Sequence, residues 1–283
     1  MPPEEIRFDG QVAVVTGSGR GLGFAYAQLL AERGASIVIH DAGVNPEGMD
    51  SDHGVADAAV RAITTAGGIA IPCYEDITSE QACQGVIQAT LDAFGRLDIL
   101  INNAGFVAFA SLEDTNNDLL ERMLAVQVKA PFWLSRAAFP LMQAQRYGRI
   151  LFTTSGRATH REYALPELSA YAIGKMAQLG LMNTLAVAGE QYGILANAVA
   201  PVAATRMLRQ SVAQGELRPE QVALGVAFLV SSRCERSGIV LAASDGRFAV
   251  ERWTSGPEVD FGSTPVTLEK FEEQWDEITG KSS

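Results

Sequence analysis

The run Gln11-Val12-Ala13-Val14-Val15-Thr16-Gly17-Ser18-Gly19-Arg20-Gly21-Leu22-Gly23 decides the fold. Its opening residues are apolar and β-branched without alternation, as in a strand buried on both faces. Glycines at 17, 19, 21 and 23 permit a tight turn, and Gly21 to Arg33 then reads as an amphipathic helix stopped by Gly34. A second apolar run, Ala35 to His40, is closed by Asp41, eighteen positions after Gly23. Strand, glycine turn, helix and a strand ending in a carboxylate have a joint physical use. The turn lets a pyrophosphate rest on the helix N-terminus, and the carboxylate accepts hydrogen bonds from ribose hydroxyls.

Outward from this unit the alternation continues. A Gly/Pro/Asp loop follows Asp41, and the spacing then predicts a helix (Val55–Ala66), a strand (Ile69–Tyr74), a helix (Ser79–Phe94) and a strand (Leu97–Asn102). One long helix is expected after Asn116, a strand over Arg149–Thr154, and a second long helix from Ser169 to Tyr192. Leu195–Val199, a helix over Pro219–Val230 and Ile239–Ala243 complete the set. Uninterrupted apolar strands separated by helices imply an α/β fold, a doubly wound (Rossmann) parallel sheet flanked by helices on both faces. No repeat or linker divides the chain, so 1–283 is expected to be a single domain. The charged, aromatic stretch 245–283 is expected to be an extension that packs, through a short helix, on the domain or on a neighbouring subunit.

Composition narrows the function. Of 283 residues, 47% are apolar and 19% charged, which suits a globular core and not a disordered chain. A net charge of −11 opposes nucleic-acid binding, which needs a basic face. An anionic substrate would require a local basic pocket. Cys73, Cys83 and Cys234 form no CxxC pair and are odd in number, as expected of reduced, buried thiols. No apolar run approaches the ~18 residues of a membrane span. Residues 1–9 lack a signal-peptide apolar region, and the last residues are not a Ser-Lys-Leu address. The chain is therefore expected to be cytoplasmic and free of membrane. No metal site is expected, since His160 has no second ligand at suitable spacing.

Tyr171-Ala172-Ile173-Gly174-Lys175 places a phenol and an ammonium one helical turn apart. A nearby cation favours the phenolate, bringing a group with an ordinary pKa of about 10 toward use as a general acid or base. The pair follows a strand that ends at Ser155, on the sheet edge where doubly wound folds place ligands.

The Thr16–Gly23 turn, Asn102-Asn103-Ala104-Gly105, Ser155 and Tyr171/Lys175 together resemble the short-chain dehydrogenase/reductases, in order and spacing, over about Phe8 to Ala243. The resemblance implies hydride transfer to a nicotinamide cofactor, with Tyr171, Ser155 and Lys175 catalytic. It also implies cofactor contacts from Gly17, Gly21, Leu22, Gly23, Asp41, Asp76, Ile77, Asn103, Ala104, Gly105, Pro201 and Thr205, besides Tyr171 and Lys175. Asp41 would repel the 2′-phosphate of NADP. Arg20 would attract it, unless it is a solvated side chain at a loop tip. Asp41 lies nearer the ribose, so the expected cofactor is NAD. Relatives pair through their long helices, so a homodimer or homotetramer is expected.

Three stretches resemble, more narrowly, the (3R)-hydroxyacyl-CoA dehydrogenase modules of peroxisomal multifunctional enzymes. They are Arg7-Phe8-Asp9-Gly10-Gln11-Val12, the loop 41–53, and Asp245-Gly246-Arg247-Phe248-Ala249-Val250-Glu251-Arg252-Trp253. The implied substrate is a (3R)-3-hydroxyacyl thioester. A steroid or cyclic alcohol is the rival, and a catalytically silent cofactor-binding scaffold is a third reading.

Two departures from the family stand out. Gln127 replaces its usual asparagine, which holds a water of the proton relay, so Gln127 is a candidate relay residue. The interval from Ser155 to Tyr171 is also longer than usual and contains Arg157, His160 and Arg161. With Arg206 and Arg209 these cations could receive a carboxylate or a CoA phosphate, or they could be solvated charges paired with Glu162 and Glu167.

Overall fold

The computed structural model describes residues 4–44, 51–204, 216–263 and 265–280. Seven strands form in the expected places: β1 (Val12–Thr16), β2 (Ser36–His40), β3 (Ile69–Cys73), β4 (Ile99–Asn102), β5 (Gly148–Thr153), β6 (Ile194–Val202) and β7 (Val240–Ser244). They pair in parallel in the order β3-β2-β1-β4-β5-β6-β7. The strand order reverses between β1 and β4, which leaves a crevice at their carboxyl ends.

The strands read as continuous apolar runs because each face has its own core. Ala13, Val15, Ile37, Ile39, Ile99 and Ile101 pack under α1 (Gly21–Glu32), α2 (Gly54–Thr65) and α8 (Pro219–Val230). Val14, Val38, Leu100, Ile150 and Ala198 point the other way, under α3 (Glu80–Phe94), α5 (Ala130–Gln145) and α7 (Ser169–Gly189). Each valine, leucine or isoleucine among them contributes roughly 1.5–3 kcal/mol through burial, and a one-residue shift of any strand would exchange the two faces. At the amino ends, Asp98 joins β1 to β4. Its buried carboxylate accepts from the Val12 N–H at 2.9 Å and from Arg96 at 2.7 and 2.8 Å.

The expected single helix after Asn116 is broken. It forms as α4 (Asn117–Leu124), a π-helical turn (Ala125–Lys129) and then α5. Pro131 has no N–H to donate to the carbonyl four residues earlier, that of Gln127. The Gln178 side chain on α7 donates to that carbonyl instead, at 2.9 Å. The second long helix ends at Gly189, and its expected last turn, Glu190–Tyr192, tightens to 3₁₀.

An eighth strand, β8 (Arg247–Glu251), lies beside β7 at the sheet edge. Asp245 and Gly246 both have positive φ (49° and 71°), the geometry of a two-residue hairpin turn, so β8 runs antiparallel to β7. The alternation Phe248, Val250 therefore belongs to a strand, not to the expected extension. The chain divides into two compact units, Met1–Val250 and Glu251–Ser283. The second unit contains α9 (Leu268–Glu273) and α10 (Trp275–Ile278), with Phe271 against Phe261 and Trp275 at ring-centre distances of 6.0 and 5.9 Å.

Candidate active site

The glycine turn is built on close backbone contact. Gly17 and Gly21 have φ of 63° and 61°, a region that L side chains rarely enter. A Cβ on Gly23 would lie 2.3 Å from the Gly17 carbonyl and 2.6 Å from Asn103 Nδ2. Asn103 Nδ2 donates to the Thr16 and Gly17 carbonyls at 2.9 and 3.1 Å. Thr16 Oγ1 in return accepts from the Asn103 and Ala104 N–H groups, both at 3.0 Å. The turn is fixed to β2 as well: Ser18 N–H donates to the His40 carbonyl at 3.0 Å, and Gly19 N–H to Asp41 Oδ2 at 2.9 Å.

The N-terminus of α1 carries no side-chain cap and no acidic residue in its first turn. Its free N–H groups and partial positive charge suit a pyrophosphate. Asp41 is almost fully buried at the end of β2, where an adenosine ribose would lie, and its Oδ1 accepts from Gly43 N–H at 2.8 Å. The residues therefore fit a dinucleotide. Arg20 is not a solvated loop-tip side chain: it is half-buried, and its Nη2 donates to the Val44 carbonyl at 2.8 Å.

A cleft of about 260 Å³ opens beside this turn. Leu22, Asn103, Gly105, Ser155, Tyr171, Lys175 and Pro201, brought from five places in the sequence, line it together. Ser155 lies two residues past β5 and caps the short helix α6 (Gly156–Thr159), its Oγ accepting from the Arg157 N–H at 3.3 Å. Tyr171 and Lys175 lie on one face of α7. Lys175 Nζ sits 5.8 Å from the Tyr171 ring centre and donates to the Thr153 carbonyl at 2.7 Å.

Burial pushes the Tyr171 phenol above its ordinary pKa, while a hydrogen bond with Ser155 and the charge of Arg157 pull it back. Two cations thus stand near the phenol, Arg157 and, one helical turn along α7, Lys175. Burial also lowers the Lys175 ammonium to about 8.

Asp76 is exposed, with its carboxylate on the Thr78 N–H at 3.1 Å, and Ile77 is buried beside α3; neither lines the cleft. Gln127 is fully buried behind it, donating to the Phe106 carbonyl at 2.9 Å, with Oε1 unpartnered. Its extra methylene is accommodated by Gly174, where a Cβ would approach Gln127 to 2.9 Å. Thr205, Arg206 and Arg209 fall outside the described residues. Sequence reasoning missed Val107 as a lining residue, because only the path of the loop after β4 brings it to the cleft; Tyr163, from the long Ser155–Tyr171 interval, and Val202 and Ala203, which follow Pro201, line it too.

The short chain dehydrogenase family profile matches residues 11–216. The chain is 36% identical to the peroxisomal multifunctional enzyme type 2 of Drosophila melanogaster over 98% of its own length, and it spans 46% of that enzyme. A short chain dehydrogenase from Mycobacterium avium superposes with a TM-score of 0.85 at 30% identity, covering 97% of this chain and 96% of that one. A metagenomic short-chain oxidoreductase in complex with NADP superposes at 0.67 with 32% identity, over 79% of this chain and 91% of that one.

The buried ammonium has a measurable consequence. Unfolded, Lys175 holds its proton up to the ordinary value of 10.5; folded, only to about 8. The penalty on the folded state is thus full below pH 8 and is relieved as the pH rises toward 10.5. Lys175→Met should stabilise the cofactor-free protein at pH 7 by roughly 2 kcal/mol, after loss of the Thr153 hydrogen bond. In urea unfolding across this pH range the gain should fade with rising pH; a constant gain would contradict the burial argument.

Proposed function

The chain belongs to the short chain dehydrogenase family, and on that premise we propose that it transfers a hydride between a secondary alcohol and NAD. The observation that carries this is the convergence of Ser155, Tyr171 and Lys175 on one cleft beside the glycine turn. Ser155 Oγ and the Tyr171 hydroxyl hold the substrate oxygen. Tyr171 takes the alcohol proton during oxidation and returns it during reduction. Lys175, whose ammonium donates to the Thr153 carbonyl, would hold the nicotinamide ribose with its remaining donors. When bound, the nicotinamide supplies the hydride acceptor next to the carbinol carbon.

We assign NAD because the Asp41 carboxylate, held beside the glycine turn by the Gly19 and Gly43 N–H groups, would oppose a 2′-phosphate. The proposed substrate is a (3R)-3-hydroxyacyl thioester, supported by the three stretches that resemble those of multifunctional enzymes and by the 36% identity to the fly relative. The proposed assembly is a homodimer or homotetramer with two-fold symmetry. Exposed Phe132 on α5 and exposed Ile173, Met176 and Val187 on α7 support pairing through these helices. Among the described residues no helix is long and apolar enough to cross a membrane, and no cluster of metal ligands occurs. The three buried free cysteines suit a reducing compartment, for which we propose the cytoplasm.

Three measurements test these assignments. Tyr171→Phe removes only the hydroxyl, so NAD⁺ affinity by fluorescence titration should hold while kcat falls by about 10²–10⁴; near-normal kcat would leave a scaffold with no use for the phenol. NAD⁺ should exceed NADP⁺ in kcat/KM, and Asp41→Ala should narrow the gap. A preference for NADP⁺ of about tenfold, ~1.4 kcal/mol, would make Arg20 the governing residue. Light scattering at micromolar concentration should find a multiple of the 30.2 kDa chain; a lone monomer would remove the helix pairing.

A further inference from the structure

In a chain of net charge −11, the charged groups that line the cleft are both cations, Lys175 and Arg157. Among the described residues no carboxylate lines it. Lys175 is engaged at the Thr153 carbonyl. Arg157 differs: among the described residues its guanidinium meets no hydrogen-bond or ion-pair partner, whereas the neighbouring His160 faces Glu162 at 3.7 Å. The backbone of Arg157 is fixed, since its N–H donates to Ser155 Oγ and it sits in the first turn of α6. Its charge also reaches the Tyr171 phenol.

We propose that Arg157 binds an acyl oxygen of the substrate, a carboxylate or thioester carbonyl close to the reacting carbinol, and so selects hydroxyacyl compounds over neutral ring alcohols. This rests on the alcohol-oxidising role assigned to the cleft above. With the substrate oxygen between Ser155 and Tyr171, a group attached near the carbinol carbon falls toward the residue that follows Ser155 by two. A guanidinium offers two parallel N–H donors to a carboxylate and one or two to a thioester carbonyl. A hydrocarbon ring laid against it would strip water from a half-buried cation and return no hydrogen bond. The expectation that Arg157 is a solvated charge paired with Glu162 or Glu167 is not met, because no such ion pair forms.

The test uses protein saturated with NAD⁺, in which added ketones form dead-end complexes and nothing turns over. Acetoacetate, acetoacetyl-CoA and cyclohexanone are titrated calorimetrically into wild type, Arg157→Met and Arg157→Lys. Wild type should bind an acyl compound more tightly than cyclohexanone. Arg157→Met should weaken that acyl compound at least tenfold and leave cyclohexanone unchanged, and Arg157→Lys should recover part of the loss. The larger loss on acetoacetate identifies a free carboxylate as the natural group; the larger loss on acetoacetyl-CoA identifies the thioester. Equal effects on all three ketones would mean that Arg157 acts only through Tyr171, and would overturn the proposal. So would wild-type protein that binds no acyl compound, or an Arg157→Met variant that binds as wild type does. Steady-state oxidation of 3-hydroxybutyrate, (3R)-3-hydroxybutyryl-CoA and cyclohexanol separates the two claims. No oxidation with acyl binding intact would sink the dehydrogenase assignment, whereas oxidation without Arg157-dependent binding would sink this one.

Discussion

The hydrogen bonds between Thr16 and Asn103 are the constraint on which the site depends. They join the carboxyl ends of β1 and β4, the two strands between which the sheet reverses its order. Without that tie the strand ends could splay, and the crevice would lose its floor. With it, the Gly17 carbonyl is held beneath α1 at a distance that only a glycine at position 23 allows. The glycine turn is thus less a flexible loop than a compressed junction, and the helix N-terminus that follows it has no side-chain cap, which leaves its N–H groups for a ligand.

The second organising element is charge placed out of water. Lys175 is buried with one carbonyl as its partner, a costly arrangement that its lowered pKa reflects. Such groups concentrate at functional sites because bound ligands supply the missing partners. Arg157 is the complementary case, a cation left open toward the cleft. Its field, together with the Ser155 hydrogen bond, offsets part of the desolvation of Tyr171. A reaction that moves a proton at the phenol therefore depends on the residues of the β5–α7 connection as much as on the tyrosine–lysine pair.

Gln127 illustrates how a local departure is absorbed by the surrounding packing. Its longer side chain fits because Gly174 lacks a Cβ, and its backbone carbonyl, which Pro131 cannot serve, is taken up by Gln178. The result is a π-turn inside what the sequence presents as one helix. The amide of Gln127 ends on the Phe106 carbonyl, holding the loop after β4 and not facing the cleft.

The doubly wound sheet, the glycine turn and the tyrosine–lysine pair are all legible in the order of residues alone. Each is encoded locally: unbroken apolar runs such as Ile37-Val38-Ile39 mark strands buried on both faces, and a four-residue interval on a helix fixes which side chains share a side. What the tertiary structure alone decided involves partners far apart in the chain or backbone paths without periodicity. Gln127 meets Gln178 across 51 positions. Arg20 turns inward because the carbonyl of Val44 accepts from it. Phe248 and Val250 became an edge strand because Asp245 and Gly246 reverse the chain. Arg157 and Glu162 are close enough in sequence to suggest an ion pair, yet the turn capped by Ser155 directs the arginine to the cleft. A charge's neighbours along the chain say little about its partner, since electrostatic and hydrogen-bond contacts depend on distance in space.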